Sequence, residues 1–345
     1  MKNRRIVIAA RGGPSVLESI EEDLAEPHPG EVRVKVLATG VAFADVLMRY
    51  GLYPKAPPLP FTPGYDIVGV VDKLGDGVSG VVPGETVAAL TRWGGYSQFI
   101  NLPLSELTSV PAGLDPAEAV SLVLNYVTAW QMLHRFAQLQ TGQSALVHGA
   151  AGGVGTAALQ IGQLAGLTLY GTASRAKHNL VRALGGKPID YQTEDFVART
   201  LEETAGQGVD CVLDPVGGTN WWRSYKVLRM RAGRPAGQLV AYGVSAAVAE
   251  GRPRKLVGAA SFALLALLSL LPDGKSARWY DISAEKKRHP EWFGEDLAHL
   301  FSLLREQKIQ PVVSECLPLH QAARAHELLE HARASGKIVL LPWVE

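Results

Sequence analysis

SALVHGAAGGVG, residues Ser144–Gly155, is the stretch whose reading decides the fold. Its opening apolar run, Ser144–Val147, has the form of a short strand buried on both faces. His148 ends that run, and small residues lead directly into a helical pattern over Val154–Ala165. Counted back from Gly155, the spacing is Ala150-x-Gly152-x-x-Gly155, an alanine variant of the dinucleotide fingerprint. Small residues let the backbone approach a pyrophosphate there, and the helix N-terminus supplies N–H donors and a positive dipole end. Ala150, Gly152, Gly153, Val154 and Gly155 are therefore expected to hold a dinucleotide. A ligand-free strand-to-helix turn would use the same glycines. What separates the two readings is context: a strand before, a helix after, and another strand following.

That next strand, Leu167–Thr172, runs on as LYGTASRAKHN (Leu169–Asn179). NAD-binding folds place Asp or Glu at its end to accept from the ribose 2′-OH. This chain has Thr172, Ser174, Arg175 and Lys177, and no acid before Asp190. Hydroxyls and two cations suit a 2′-phosphate, Arg as a bidentate donor and Lys as a point charge. As solvated surface charges the same cations would oppose the dipole of the helix they open. The reading predicts NADPH rather than NADH. Tyr191 is expected near the adenosine phosphate. Pro215, Val216, Gly217, Tyr242 and Gly243 follow two further strands, where open α/β sheets bind their ligands.

Working outward, texture changes near Leu122. Beyond it, helical spacing at Asn125–Ala137 and Ala176–Leu184 alternates with strand signals at Gly208–Asp214 and Gly237–Tyr242, which predicts βαβ units and a parallel sheet. Before it, the chain reads as strands and turns. Glu31–Ala38 (EVRVKVLA) alternates polar and apolar residues, and Ile67–Leu74 closes on the turn Gly75–Gly77. Pro272–Gly294 reads as a polar, irregular stretch, followed by helices at Leu297–Glu306 and Leu319–Arg333 and a last strand at Lys337–Leu341.

With 345 residues the chain exceeds one comfortable core, which suggests two domains or one domain with a large insert. The net charge of +1 comes from acids and bases mixed along the chain, so nucleic acid is not an indicated partner. Cys211 and Cys316 are the only cysteines, too few for a disulfide framework or a cysteine-rich zinc site. The apolar run Ile6–Ala10 is too short for a signal peptide, so a cytoplasmic location is the default expectation. Leu256–Leu271 (LVGAASFALLALLSLL) carries no charge and stops at Pro272. It falls short of the roughly 20 residues of a spanning helix. With Gly258, Ala259, Ala260, Ser261 and Ser269 it is expected as a helix buried in protein or at an interface, membrane contact being the alternative.

Several segments together resemble the zinc-free quinone oxidoreductases of the zeta-crystallin type, within the medium-chain dehydrogenase/reductase family. They are GVAFADVLMRYGLYP (Gly40–Pro54), PFTPGYDIVGVV (Pro60–Val71), the glycine loop, NYVTAWQML (Asn125–Leu133) and DPVGG (Asp214–Gly218). Pro253–Leu256 and Gly336-Lys337 look more like the vesicle amine transport protein branch. The resemblance implies a GroES-like, partly β-barrel catalytic domain and a doubly wound Rossmann domain with the cofactor in the cleft between them. The implied division is residues 1–121 and 284–345 for the catalytic domain and 122–283 for the NADPH-binding domain. A homodimer paired through the last Rossmann strands is also implied.

Zinc alcohol dehydrogenases carry a cysteine in the segment matching Gly40–Asp45 and a His-Glu pair after the glycine matching Gly64. This chain has Ala42, Tyr65 and Asp66 at those places, and the third ligand would fall near Leu124. A catalytic zinc needs three converging N, S or O ligands, and no such set is legible. Without a Lewis acid to stabilise an alkoxide, the expected reaction is reduction of a quinone or an α,β-unsaturated carbonyl. The resemblance gives Tyr53 to the substrate cleft, where its phenol would bond the acceptor oxygen or deliver a proton; a turn tyrosine packing its ring is the alternative. Phe43, Tyr50 and Tyr65 are further cleft candidates, with ring packing the alternative for both tyrosines; Thr128 is a candidate contact to the nicotinamide end, with helix packing the alternative, and Lys337 a further cofactor candidate. His148 is expected to be structural, since it lacks an evident acid partner in sequence. The competing reading is a cofactor-binding interaction protein, an adaptor or membrane-associated protein with little turnover. Ala42, where many quinone oxidoreductases have asparagine, and the apolar Leu256–Leu271 favour it.

Overall fold

The structure, a computed structural model, describes residues 1–230, 237–248 and 254–345. It divides into two compact units, one formed by Met1–Val127 with Pro290–Glu345 and the other by Thr128–His289. Pro253, part of the resemblance above, lies outside the described residues.

The first unit contains β1 (Lys2–Ile8), β2 (Leu17–Asp23), β3 (Glu31–Val41), β4 (Ile67–Leu74), β5 (Thr86–Ala89), β6 (Phe99–Pro103) and β7 (Leu107–Ser109). The second contains β8 (Ser144–Val147), β9 (Thr168–Ala173), β10 (Gly186–Asp190), β11 (Cys211–Asp214), β12 (Gln238–Ala241) and β13 (Ser276–Trp279). Strands β14 (Val313–Pro318) and β15 (Lys337–Leu341) return to the first unit.

In the first unit β3 is the hub, pairing antiparallel with β4, β6 and β15. The sheet runs β14-β15-β3-β4-β5-β7 with β6 on β3, and among the described strands it does not close into a barrel. The alternation of EVRVKV sets the faces: Val32, Val34 and Val36 are fully buried with Ile67, Val71 and Val87. Each such side chain contributes roughly 1.5–3 kcal/mol of burial. On the other face Arg33 pairs with Asp72 at 2.6 Å, and Lys35 lies over the Trp343 ring at 4.4 Å.

The second unit is a six-stranded parallel sheet in the order β10-β9-β8-β11-β12-β13. Counted from β8 this is 3-2-1-4-5-6, the dinucleotide-binding order, whose direction reverses between β8 and β11. Helices cover both faces, so all four residues of β8 and of β11 are buried. The segment expected to be irregular after Pro272 instead supplies β13 and the helices Ile282–Arg288 and Pro290–Arg305. Asp281 caps the first of these by accepting from Ser283 and Ala284 N–H.

The apolar segment forms the helix Arg254–Ser269, and full burial is not what it shows. Ser261, Leu265 and Leu268 are buried, the leucines in the core that holds Trp221. Leu256, Leu267 and Leu270 are 67%, 64% and 78% exposed. One stripe of the helix is enough to anchor it, because Phe262 reaches Trp279 and Trp221 as well. No helix among the described residues is long and apolar enough to cross a membrane.

Candidate active site and cofactor cradle

The loop from β8 turns at Gly149, whose φ of +64° suits glycine, and Gly152 N–H closes the turn on the Gly149 carbonyl at 2.8 Å. The helix Gly153–Leu164 then starts without a side-chain cap, and among the described residues no backbone bond takes up the Val154 or Gly155 amide. These are open donors at a helix N-terminus, which is what a diphosphate requires. A Cβ on Gly155 would stand 2.2 Å from the Gly149 oxygen, so that position admits only glycine. Alanine at position 150 fits because its neighbour on β9 is Gly171, where an added Cβ would meet the Ala150 methyl at 2.6 Å.

At the sheet's reversal point four buried side chains join β8, β9 and β11. His148 Nδ1 lies 3.1 Å from Thr172 Oγ1 and its Nε2 3.0 Å from Ser224 Oγ. Ser224 donates to Asp214 Oδ2 at 2.7 Å, and the Gly149 amide donates to Thr172 Oγ1 at 3.2 Å. Phe196 closes the ring edge-on at 4.6 Å, and burial pushes the imidazole's pKa down, with Asp214 opposing. The acid partner that the sequence does not reveal is thus Asp214, at 3.9 Å from Nε2, working mainly through Ser224. The Thr172 hydroxyl, a candidate ligand group, is 3% exposed and engaged inside the protein.

Parallel pairing sets Asp190 beside Ala173, which brings the residues after β9 and β10 together. Ser174, Arg175 and Lys177 form the turn into the helix His178–Ala183, and Tyr191, 52% exposed, follows β10. Among the described residues neither the Ser174 hydroxyl nor the Arg175 guanidinium has a partner. Lys177 is half-buried, and that burial lowers its pKa. Asp190 serves its own turn, accepting from Gln192 N–H.

At the end of β11 the Asp214 carboxylate also takes Val216 N–H at 2.7 Å, Gly217 N–H at 3.4 Å and Asn220 Nδ2 at 2.8 Å, which shapes the Pro215–Gly217 turn. Tyr242 N–H bonds the Asp214 carbonyl, and Gly243 lies close against Pro215, so the two candidate turns are neighbours. Thr128 is buried in the helical segment Val127–Trp130.

In the first unit the structure brings Tyr53 and Tyr65 together, with phenol oxygens 2.6 Å apart and rings edge-on. Arg92, which sequence reasoning missed, lies over the Tyr53 ring at 5.5 Å and the Trp93 ring at 4.9 Å, and its amide bonds the Tyr65 carbonyl. Phe43 opens the helix Phe43–Arg49, and the Tyr50 ring lies under the buried Arg49 guanidinium at 4.7 Å. Arg49 in turn pairs with Glu330.

Asp45 orders the loop, accepting from Ala42 N–H at 2.9 Å, Gly64 N–H at 3.0 Å and Tyr96 at 3.2 Å. Burial lifts its pKa to about 7. Asp66 accepts from Gly40 N–H and forms a buried ion pair with Lys337 at 2.7 Å. Lys337, expected to reach a cofactor, is 2% exposed and ends on this carboxylate, where it compensates the buried charge of Asp66. A zinc ion does not fit this donor set. Ala42 has no donor, Asp66 is held by Lys337, and no group of three or more His, Cys, Asp or Glu converges among the described residues.

Residues 28–112 match the alcohol dehydrogenase GroES-like domain, and residues 184–340 match the zinc-binding dehydrogenase family. The chain is 35% identical over 326 residues to a synaptic vesicle membrane protein VAT-1 homolog of Rattus norvegicus, covering 92% of this chain and 78% of the relative. It is 32% identical over 343 residues to quinone oxidoreductase 1 of Escherichia coli, covering 98% and 99%. A solved Escherichia coli quinone oxidoreductase complexed with NADPH superposes with a TM-score of 0.86 at 30% identity, covering 98% of this chain and all of the other. With this sheet order and these relatives, the chain belongs to the medium-chain dehydrogenase/reductase family of oxidoreductases, in its zeta-crystallin-like quinone oxidoreductase group near the VAT-1 proteins.

Proposed function

We propose that the chain is an NADPH-dependent, zinc-independent reductase acting on a quinone or an α,β-unsaturated carbonyl. The observation that carries the reading is the end of β9. Ser174, Arg175 and Lys177 stand where an NAD site has an acid, beside a glycine loop with open amides. The NADPH bound to the Escherichia coli relative supports it.

When bound, the nicotinamide supplies the hydride. The residues of the chain bind and orient. Ala150, Gly152, Gly153, Val154 and Gly155 form the diphosphate cradle, and Arg175, Lys177, Ser174 and Tyr191 the 2′-phosphate end. Thr128, Pro215–Gly217, Tyr242 and Gly243 serve the remainder of the cofactor. Hydride addition leaves negative charge on the acceptor oxygen. Tyr53 Oη is the proposed donor to that oxygen, Tyr65 Oη, 2.6 Å away, hydrogen-bonds to the phenolate left behind, and a proton from solvent restores the pair. Phe43 and Tyr50 complete the proposed cleft. A zinc step is not part of the reading because the residues that would hold the ion do not fit it.

A dimer paired along β13 is consistent with that strand being the sheet's edge, with the apolar helix Arg254–Ser269 packed beside it. The exposed leucines of that helix also favour a second reading, an interaction protein of the same fold with little turnover. The deciding experiment is reduction of 9,10-phenanthrenequinone and of a simple enone by NADPH, using protein dialysed against a chelator. Sustained turnover supports the proposal. Activity lost with the chelator and restored by zinc would overturn the zinc-independent part, and no turnover of either acceptor would favour the interaction protein.

A further inference from the structure

The buried chain Asp214–Ser224–His148–Thr172–Gly149 has only one consistent direction of hydrogen bonding. The Asp214 carboxylate receives donors from Val216, Gly217, Asn220 and Ser224, so it acts purely as an acceptor and the Ser224 proton points to it. The Ser224 oxygen is left to accept, so His148 Nε2 carries the hydrogen. Nδ1 then holds a lone pair, and the Thr172 hydroxyl must donate to it. The same Thr172 oxygen accepts the Gly149 N–H. Burial keeps the imidazole neutral, since an imidazolium would turn Nδ1 into a donor and leave the Thr172 proton without an acceptor. The last link fixes the peptide plane at the mouth of the glycine loop, whose next bond is the Gly152 N–H to the Gly149 carbonyl.

We infer that His148 is a positioning residue. As the neutral Nε2–H tautomer it passes the fixed orientation of Asp214 through Ser224 and Thr172 to the Gly149 amide, and so sets the loop that presents the Val154 and Gly155 amides. The inference rests on the dinucleotide-binding reading but assigns Thr172 a different part: it holds the loop rather than the 2′-phosphate. A contact to the 2′-phosphate would affect NADPH alone. A loop anchor affects NADPH and NADH alike.

The test has two arms. Imidazole 15N NMR of the cofactor-free wild-type protein, with the His148 signal assigned through His148→Gln, should show the Nε2–H tautomer at neutral pH. The Nδ1–H form or an imidazolium would overturn the proposal without reference to any cofactor. In the second arm, NADPH and NADH affinities are measured by fluorescence for wild type, Ser224→Ala, Thr172→Val and Thr172→Ser, each checked for native circular dichroism. Ser224→Ala and Thr172→Val should weaken both cofactors about 10-fold with the NADPH/NADH ratio unchanged, and Thr172→Ser should restore both. Unchanged affinities in folded variants, or a loss confined to NADPH, would overturn the proposal while leaving the cofactor reading in place. If the wild type bound neither dinucleotide, the cofactor reading would fail first and the proposal with it. If both deletions fail to fold, Thr172→Ser and the tautomer decide: a Ser variant with impaired binding of both cofactors counts against the relay.

Discussion

Replacing Lys337 with Met would leave the Asp66 carboxylate buried without its partner. The two side chains are 2% and 0% exposed and meet at 2.7 Å, and among the described residues Asp66 would retain the Gly40 and Leu124 amides. Burial already raises the Asp66 pKa and Lys337 is the main opposing influence, so the variant's carboxyl is pushed higher still. Breaking one side of a buried pair costs about 3–5 kcal/mol, a large part of the stability of an ordinary domain. At a urea slope of about 2–3 kcal/mol per M, the unfolding midpoint at pH 8 should fall by about 1–2.5 M. The sign with pH is diagnostic. A folded pKa above the unfolded one means that the folded state binds the extra proton, so the deficit should shrink as pH falls through the variant's Asp66 pKa. Adding Asp66→Asn removes the buried charge, and the double variant should recover most of the loss. A single variant within about 1 kcal/mol of wild type at pH 8, with no pH dependence of the difference, would refute the reasoning.

Tyr53→Phe should lower kcat/KM for the quinone about 100-fold while leaving NADPH affinity unchanged; an equal loss in Tyr65→Phe and none in Tyr53→Phe would reverse their roles. Burial and the Arg49 charge push the His326 pKa down to about 3, in contact with Tyr96 and near Asp45. The unfolded chain takes up that proton below about pH 6.5 and the folded one does not, so wild type should lose stability relative to His326→Asn on acidification, by up to about 1.4 kcal/mol per pH unit. Urea midpoints of the two proteins that stay parallel from pH 7 to 5 would contradict this. Gly155→Ala should weaken NADPH and NADH together by about 10-fold or more, because its methyl would meet the Gly149 oxygen. Fluorescence titration reads that loss directly.

Local order was what the sequence revealed. SALV followed by HGAAGGVG specifies a buried strand, a turn and a helix within a dozen residues, and EVRVKV carries its own facing. What escaped is long-range or depends on neighbours. Asp214 and Ser224 meet His148 from 66 and 76 residues away, and Asp66 meets Lys337 across 271. No spacing rule links such pairs. β13 has only the four residues SARW, too short for a periodicity, and it exists because β12 offers a parallel edge. The Leu256–Leu271 run reads as buried or at an interface because it is apolar all round, a property that hides which stripe packs. Only the fold selects Ser261, Leu265 and Leu268. Arg92 gave no signal because its place over Tyr53 is made by a loop folding back, not by a motif.

NADPH and NADH binding to wild type beside Lys177→Ala is the measurement closest to the proposed chemistry. Wild type should prefer NADPH, and Lys177→Ala should weaken NADPH toward the NADH level while leaving NADH unchanged. Equal affinity of the wild type for both cofactors would contradict the 2′-phosphate site, and binding of neither would contradict the reductase itself.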